Sequence, residues 1–89
     1  MAGKPLLFTR HARTVMEERS IPEEWVAMAI ACPSHLEPDP AQTGAFRAFL
    51  QIPAFGNRVL RVVYYEEPDT CRVITVFFDR GARRKGLAT

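Results

Sequence analysis

The second half of the chain alternates with a period of two, and nothing else in the sequence constrains the fold as strongly. In residues 45–52, Phe46, Ala48, Leu50 and Ile52 alternate with Arg47, Phe49 and Gln51. In 58–66, Leu60, Val62 and Tyr64 alternate with Val59, Arg61, Val63 and Tyr65. In 71–78, Ile74, Val76 and Phe78 alternate with Val73, Thr75 and Phe77. Successive side chains of a strand point to opposite faces, so each stretch reads as a strand with one apolar and one mixed face. Pro53 and Gly56 turn the chain in 53–57, and Glu67-Pro68-Asp69-Thr70 is a tight turn with Pro68 preset for its second position. Consecutive strands joined this closely are expected to form an antiparallel β-meander.

One apolar sheet face needs a cover, and the N-terminal half is expected to supply it. Residues 9–19 read as a first helix, with Thr9 as N-cap and Phe8, Ala12, Val15 and Met16 in one stripe. Arg19 falls in that stripe and is expected to be a structural ion-pair partner, because an unpaired buried charge is costly. His11 and Arg13 flank the stripe. Ser20-Ile21-Pro22 breaks the helix, since proline pushes the residue before it out of the α conformation. Pro22 suits the start of a second helix, with Glu23 and Glu24 in the first turn where the dipole favours negative charge. That helix runs to about Cys32, with Val26, Ala29 and Ile30 as its core face. Trp25 and Met28 point partly elsewhere, toward a second packing surface or a partner. Residues 33–44, with Pro33, Pro38, Pro40 and Gly44, read as a loop. The expected fold is therefore α+β: two N-terminal helices packed on one face of a C-terminal antiparallel β-meander. Leu60, Val62, Ile74 and Val76 should face the helices.

Eighty-nine residues make a single domain, with an expected ordered core over 6–80 and a basic tail over 81–89. No apolar run is long enough to span a bilayer, and Leu6-Leu7-Phe8 is too short for a secretion signal. No membrane contact and a cytoplasmic location are expected. The two cysteines, Cys32 and Cys71, belong to no closely spaced pair, and the two histidines, His11 and His35, add too little for a metal centre. Both cysteines read as buried small hydrophobes, His35 as a solvated loop residue, and no cofactor is expected. A net charge of +2 does not by itself argue for nucleic acid. Its distribution says more, because Arg80, Arg83, Arg84 and Lys85 crowd the C-terminal segment, where they can neutralise phosphates or simply be solvated.

Several segments carry a resemblance. Phe8-Thr9-Arg10-His11-Ala12, followed by Met16-Glu17-Glu18-Arg19-Ser20-Ile21-Pro22-Glu23-Glu24, resembles the opening of a bacterial family, domain of unknown function 4258. Its usual pattern is T-x-H-A, a few residues, M-x-x-R-G-I, a short polar stretch, then helix. Arg61-Val62-Val63-Tyr64-Tyr65 and Val73-Ile74-Thr75-Val76-Phe77 look like its two closing strands, so the resemblance covers about residues 7–80. Two positions depart from it: Val15 stands where many members carry arginine, and Ser20 where glycine is common. If that arginine carries chemistry in the family, this chain lacks it.

The order helix, helix, meander is similar, more remotely, to the RelE/ParE toxin group. Toxins of the RelE type cut RNA without metal, through scattered side chains on the open sheet face and C-terminal segment, and usually pair with an antitoxin. The resemblance implies a RelE-like fold, RNA or the ribosome as target, and an antitoxin-like protein as partner. Metal-independent cleavage needs a base for the 2′-hydroxyl, an acid for the leaving oxygen and cations for the phosphorane. The candidates are His11 for proton transfer, Arg47 and Arg61 for the phosphate, Tyr65 for stacking or proton donation, and Arg80 reaching across the face. The alternative is a non-enzymatic module in which Arg47 and Arg61 keep the sheet soluble. Phe49, Val63, Phe77 and Trp25 would then form a protein-binding or self-association surface.

Overall fold

The computed structural model describes residues 4–81. The elements run β1 (Leu6–Phe8), α1 (Arg10–Arg19), α2 (Glu23–Ala31), β2 (His35–Pro38), β3 (Ala45–Ile52), a short 3-10 turn (Pro53–Phe55), β4 (Arg58–Glu66) and β5 (Cys71–Phe78). The last three strands have the bounds that alternation predicts, and the architecture is α+β. The sheet has five strands in the order β1-β5-β4-β3-β2. It is mixed rather than an antiparallel meander, because β1 pairs parallel to β5 while the other pairings are antiparallel. Two edge strands were hidden in the sequence for physical reasons. β1 is too short to show a period. β2 lies inside the proline-rich stretch expected to be a loop, and proline is tolerated there because an edge strand needs partners on one side only.

Both helices cover one face of this sheet. The Thr9 side chain caps α1 by accepting from the Ala12 amide at 3.2 Å. The same hydroxyl donates to the Ile74 carbonyl at 3.1 Å, and the Thr9 amide donates to Val73 O, also at 3.1 Å. One residue thus fixes the start of the helix to the strand beneath it. At the other end of α1, Ser20 adopts the left-handed conformation with φ 55°. The Ile21 amide returns to Met16 O at 2.9 Å and the Ser20 amide to Glu17 O at 3.3 Å. That pairing closes a helix with its last carbonyls satisfied and seats Ile21 beside Met16 in the core. It also explains why glycine suits the Ser20 position, since only glycine takes positive φ without steric cost. The α2 helix begins after extended Pro22, and its Val26 and Ala29 are fully buried.

The core joins Ala12, Met16, Ile21, Val26 and Ala29 to Ala48, Ile52, Leu60, Val62, Tyr64, Val73 and Val76. Here the expected face of β5 needs correction. Val63 pairs with Thr75 but Tyr64 pairs with Val73, so Ile74 is an extra residue without a counterpart on β4. This β-bulge resets the alternation, and Val73 rather than Ile74 joins Val76 in the core. Arg19 is also corrected: it is exposed and makes no ion pair among the described residues. The stripe ends one turn earlier, at Met16, because Ile21 takes the place over the core. Trp25 is partly buried in an intramolecular aromatic group, 5.9 Å from Phe55 and 6.4 Å from Phe78 between ring centres. Cys71 is buried as expected, whereas Cys32, at the open end of α2, is exposed.

Two stability predictions follow from the ends of α1. Thr9→Val keeps the shape but loses both side-chain hydrogen bonds, and should destabilise the fold by about 1–2 kcal/mol, while Thr9→Ser should cost much less. Equal melting temperatures for Thr9→Val and wild type would remove this role. Ser20→Gly relieves the left-handed strain and should raise stability by about 0.5–1 kcal/mol in denaturant titration.

Candidate functional site

The face turned away from the helices is organised by cross-strand register. His35 stands opposite Phe49, Phe49 opposite Arg61, and Arg61 opposite Phe77, forming one row across the sheet. Glu37, Arg47, Val63 and Thr75 form the next row. Ala45, Tyr65 and Arg72 form a third. Arg47 and Arg61 are therefore diagonal neighbours on adjacent strands, with side chains rooted roughly 7–8 Å apart.

Carboxylates hold both arginines. Glu37 accepts from His35 Nε2 at 2.9 Å through Oε1 and from Arg47 Nη2 through Oε2, so each of its oxygens is engaged. The hydrogen bond from His35 and the charge of Arg47 hold the Glu37 carboxyl below its ordinary value of 4.5, against the opposing effect of burial. Arg61 Nη1 lies 3.2 Å from Asp79 Oδ2. Its guanidinium stacks 4.2 Å from the Phe77 ring centre and 6.0 Å from that of Phe49. Burial pushes the Arg61 pKa down, Asp79 pushes it back up, and nearby Arg47 lowers it further. The effect of Arg47 on Arg61 agrees with their diagonal placement. The His35 ring sits 5.6 Å from Phe49 on the other side.

This packing changes the reading of the apolar residues on the face. Phe49 is 1% exposed and Val63 3% exposed, so neither offers a surface to a partner. Trp25 belongs to the helix layer, on the opposite side of the sheet. The flat apolar patch expected from Phe49, Val63, Phe77 and Trp25 is thus absent as a single exposed surface among the described residues.

The structure gathers the sequence candidates only in part. Arg47 and Arg61 come together. Tyr65 lies on the same face one row beyond Val63, its hydroxyl 3.5 Å from Gln42 Oε1 and its ring 5.4 Å from the Arg72 guanidinium. His11 is exposed on the first turn of α1, in the layer that covers the opposite face, so it does not join the arginines. Arg80 is exposed just past β5, next to Asp79, and makes no hydrogen bond or ion pair among the described residues. Arg83, Arg84 and Lys85 lie outside the described residues.

Sequence reasoning missed His35, Glu37 and Asp79. The spacing of His35 and Glu37, with Leu36 between, is itself a strand pattern that puts both on one face, but the flanking prolines masked it. Asp79 directly follows the last strand, where its amide donates to Val59 O at 2.8 Å and carries its carboxylate toward Arg61. The Cys71 thiol is pushed up by burial and by Glu66, which disfavours the nucleophilic thiolate. Among the described residues, no group of His, Cys, Asp and Glu side chains could hold a metal ion. No helix among them is long and apolar enough to cross a membrane.

The depressed Glu37 pKa carries a pH prediction. The native state favours the carboxylate, so the stabilisation is complete above the ordinary value of 4.5 and is lost as pH falls through the lower native value. Glu37→Gln should therefore flatten the acid limb of a plot of melting temperature against pH. An unchanged acid limb in the variant would contradict the assignment.

Comparison with known proteins agrees with the resemblance of the opening and closing segments to domain of unknown function 4258, and does not extend to the RelE/ParE group. No curated protein and no solved structure matches the chain. A family model does match, over residues 8–78, from the strand that leads into Thr9 to the last residue of β5. The capping Thr9, the turn at Ser20 and the closing strands all fall inside the matched region. The chain belongs to the family described as Domain of unknown function (DUF4258).

Proposed function

We propose that the open sheet face is the active surface of a toxin-like, metal-independent endoribonuclease. The observation that supports this most strongly is a linked set of groups. An imidazole is hydrogen-bonded to a carboxylate that also holds Arg47, and a second arginine lies one diagonal step away. A neutral imidazole can accept the proton of a 2′-hydroxyl through the ring nitrogen that does not face Glu37. Glu37 fixes the ring and stabilises the imidazolium that forms. Arg47 and Arg61 carry fixed donors suited to the charge that grows on the phosphorane oxygens. The 2′-oxygen bonds to phosphorus as its proton passes to the imidazole, the bond to the 5′-oxygen breaks as that oxygen takes a proton from solvent water, and the products carry a 2′,3′-cyclic phosphate and a 5′-hydroxyl. Tyr65, further along the face, is assigned to stack on a base of the substrate.

In this reading His35 takes the proton-transfer role that sequence alone gave to His11. The arrangement is taken as a relative of the RelE type of fold, working in the cytoplasm with an antitoxin-like protein as its natural partner. The fold kinship and the partner rest on analogy of element order, and the location on the short apolar runs of the sequence.

The test is cleavage of labelled RNA, free and ribosome-bound, with and without EDTA. Wild-type protein should cut in EDTA and leave cyclic phosphate ends, since the groups assigned need no metal. His35→Ala and Arg61→Ala should each slow cleavage by about 10²–10³-fold with the circular dichroism spectrum retained. His11→Ala should leave the rate within about twofold of wild type, its side chain being on the other layer. A wild-type protein that cuts neither free nor ribosome-bound RNA overturns the proposal.

A further inference from the structure

We infer that the end of the sheet where β4 begins and β5 ends is a phosphate-binding surface, on which Arg58 and Arg80 hold a nucleic acid strand beside the open face. It rests on the reading above only in taking a single-stranded nucleic acid as the ligand. The observation behind it is how the cations of the chain are paired. Lys4, Arg13, Arg47, Arg61 and Arg72 each form an ion pair with a carboxylate. Arg10, Arg19, Arg58 and Arg80 are exposed and form none among the described residues. Arg10 and Arg19 are the first and last residues of α1, about 13 Å apart along its axis, so they do not meet one phosphate. Arg58 and Arg80 are brought together. Leu60 stands opposite Phe78, and the Asp79 amide donates to Val59 O at 2.8 Å. The same register sets the first residue of β4, Arg58, against the point where the chain leaves β5 and reaches Arg80.

Arg58 is also preoriented. Its guanidinium lies 4.9 Å from the Phe55 ring centre, and that ring is stacked 4.9 Å from Phe78. A guanidinium over a ring keeps its N–H edge for an acceptor. The carboxylate next to Arg80 in the sequence, that of Asp79, is paired with Arg61. The two ends of the binding surface therefore differ in kind. On the open face Arg47 and Arg61 arrive with carboxylates already bound, so a phosphate there releases few counterions. At the sheet end the charges are uncompensated within the described residues, and each phosphate met there releases a counterion to solvent. Arg61 stands three residues beyond Arg58 on β4, about 10 Å along the strand, a distance that a short run of linked nucleotides spans. The sheet end thus supplies affinity for the backbone, and the open face supplies the chemistry.

The experiment measures the salt dependence of binding without cleavage. A labelled single-stranded oligonucleotide lacking 2′-hydroxyl groups is titrated into the protein between about 50 and 200 mM salt, and the slope of log affinity against log salt is compared among variants. Each phosphate contact on a single strand contributes about 0.7 to that slope, so Arg58→Gln with Arg80→Gln should lower its magnitude by about 1.4. The same two contacts correspond to about 50-fold weaker binding at about 50 mM salt. Arg58→Lys with Arg80→Lys keeps both charges and should restore the slope. Arg10→Gln with Arg19→Gln makes the same change of net charge on α1 and should leave the slope within about 0.3 of wild type. Circular dichroism checks that each variant is folded. The inference is overturned by a wild type that does not bind at the lowest salt, by a slope unchanged in Arg58→Gln with Arg80→Gln, or by an equal loss in the α1 variant. Equal affinity for an oligoglutamate peptide of the same charge also overturns it, assigning the surface to acidic proteins. Failure of catalysis is distinguishable: loss of slope in a protein that cuts no RNA keeps the surface and removes the ribonuclease. Cleavage by wild type with the slope unchanged in the sheet-end variant does the reverse.

Discussion

One hydroxyl group ties the helix layer to the sheet where β5 bulges. Thr9 accepts from the first turn of α1 and donates to the carbonyl of Ile74, the residue that β4 leaves unpaired. A bulge breaks the ladder and exposes a carbonyl that needs a donor, since an unsatisfied buried acceptor costs about 1–3 kcal/mol. Thr9 supplies that donor from the end of a helix that itself needs an acceptor. The result locks β5 in a register with Val73 and Val76 in the core and Thr75 and Phe77 opposite Val63 and Arg61. Without the extra residue, strict alternation from Val76 would put Val73 on the outer face and Ile74 beneath the helices. The burial of Val73, and the exposure of the Ile74 carbonyl to Thr9, therefore trace back to the bulge.

On the open face, charge and aromatic packing together replace a second helix layer. Phe49 is buried beneath Arg61 and His35, although it points away from the helices. Guanidinium groups suit this role because they are weakly hydrated and stack on rings while keeping their polar edges for carboxylates. The arrangement stabilises the sheet and concentrates ionisable groups in one place. Its cations are already balanced, Arg47 by Glu37 and Arg61 by Asp79, so it is not a simple basic surface. The guanidinium groups of this face therefore have their charge compensated within the chain.

Much of the scaffold was legible in the chain because it rests on local chemistry. Alternation bounded β3, β4 and β5, Thr9 marked a helix start, and Ser20-Ile21-Pro22 marked a helix stop. What stayed hidden depends on contacts distant in sequence. β1 is three residues long and exists as a strand only because β5 lies beside it. The bulge at Ile74 has no signature in a run of apolar residues on both faces of β5. Arg19 was misplaced because a helical wheel carries the stripe one turn too far, past the point where Ile21 takes over the core. The same limit explains the site: Arg47 and Arg61 were found by alternation, while His35 and Glu37 lay behind prolines that read as loop.

The central claim is that the chain meets its ligand with the open face of the sheet and not with the helix layer. Mapping amide and side-chain chemical shifts while titrating a short unstructured oligonucleotide tests this most directly. The account predicts perturbations at His35, Arg47, Arg61, Thr75 and Tyr65, with His11 and Arg19 unmoved. Shifts confined to the outer surface of α1 and α2, with His35 and Arg61 silent, would contradict it.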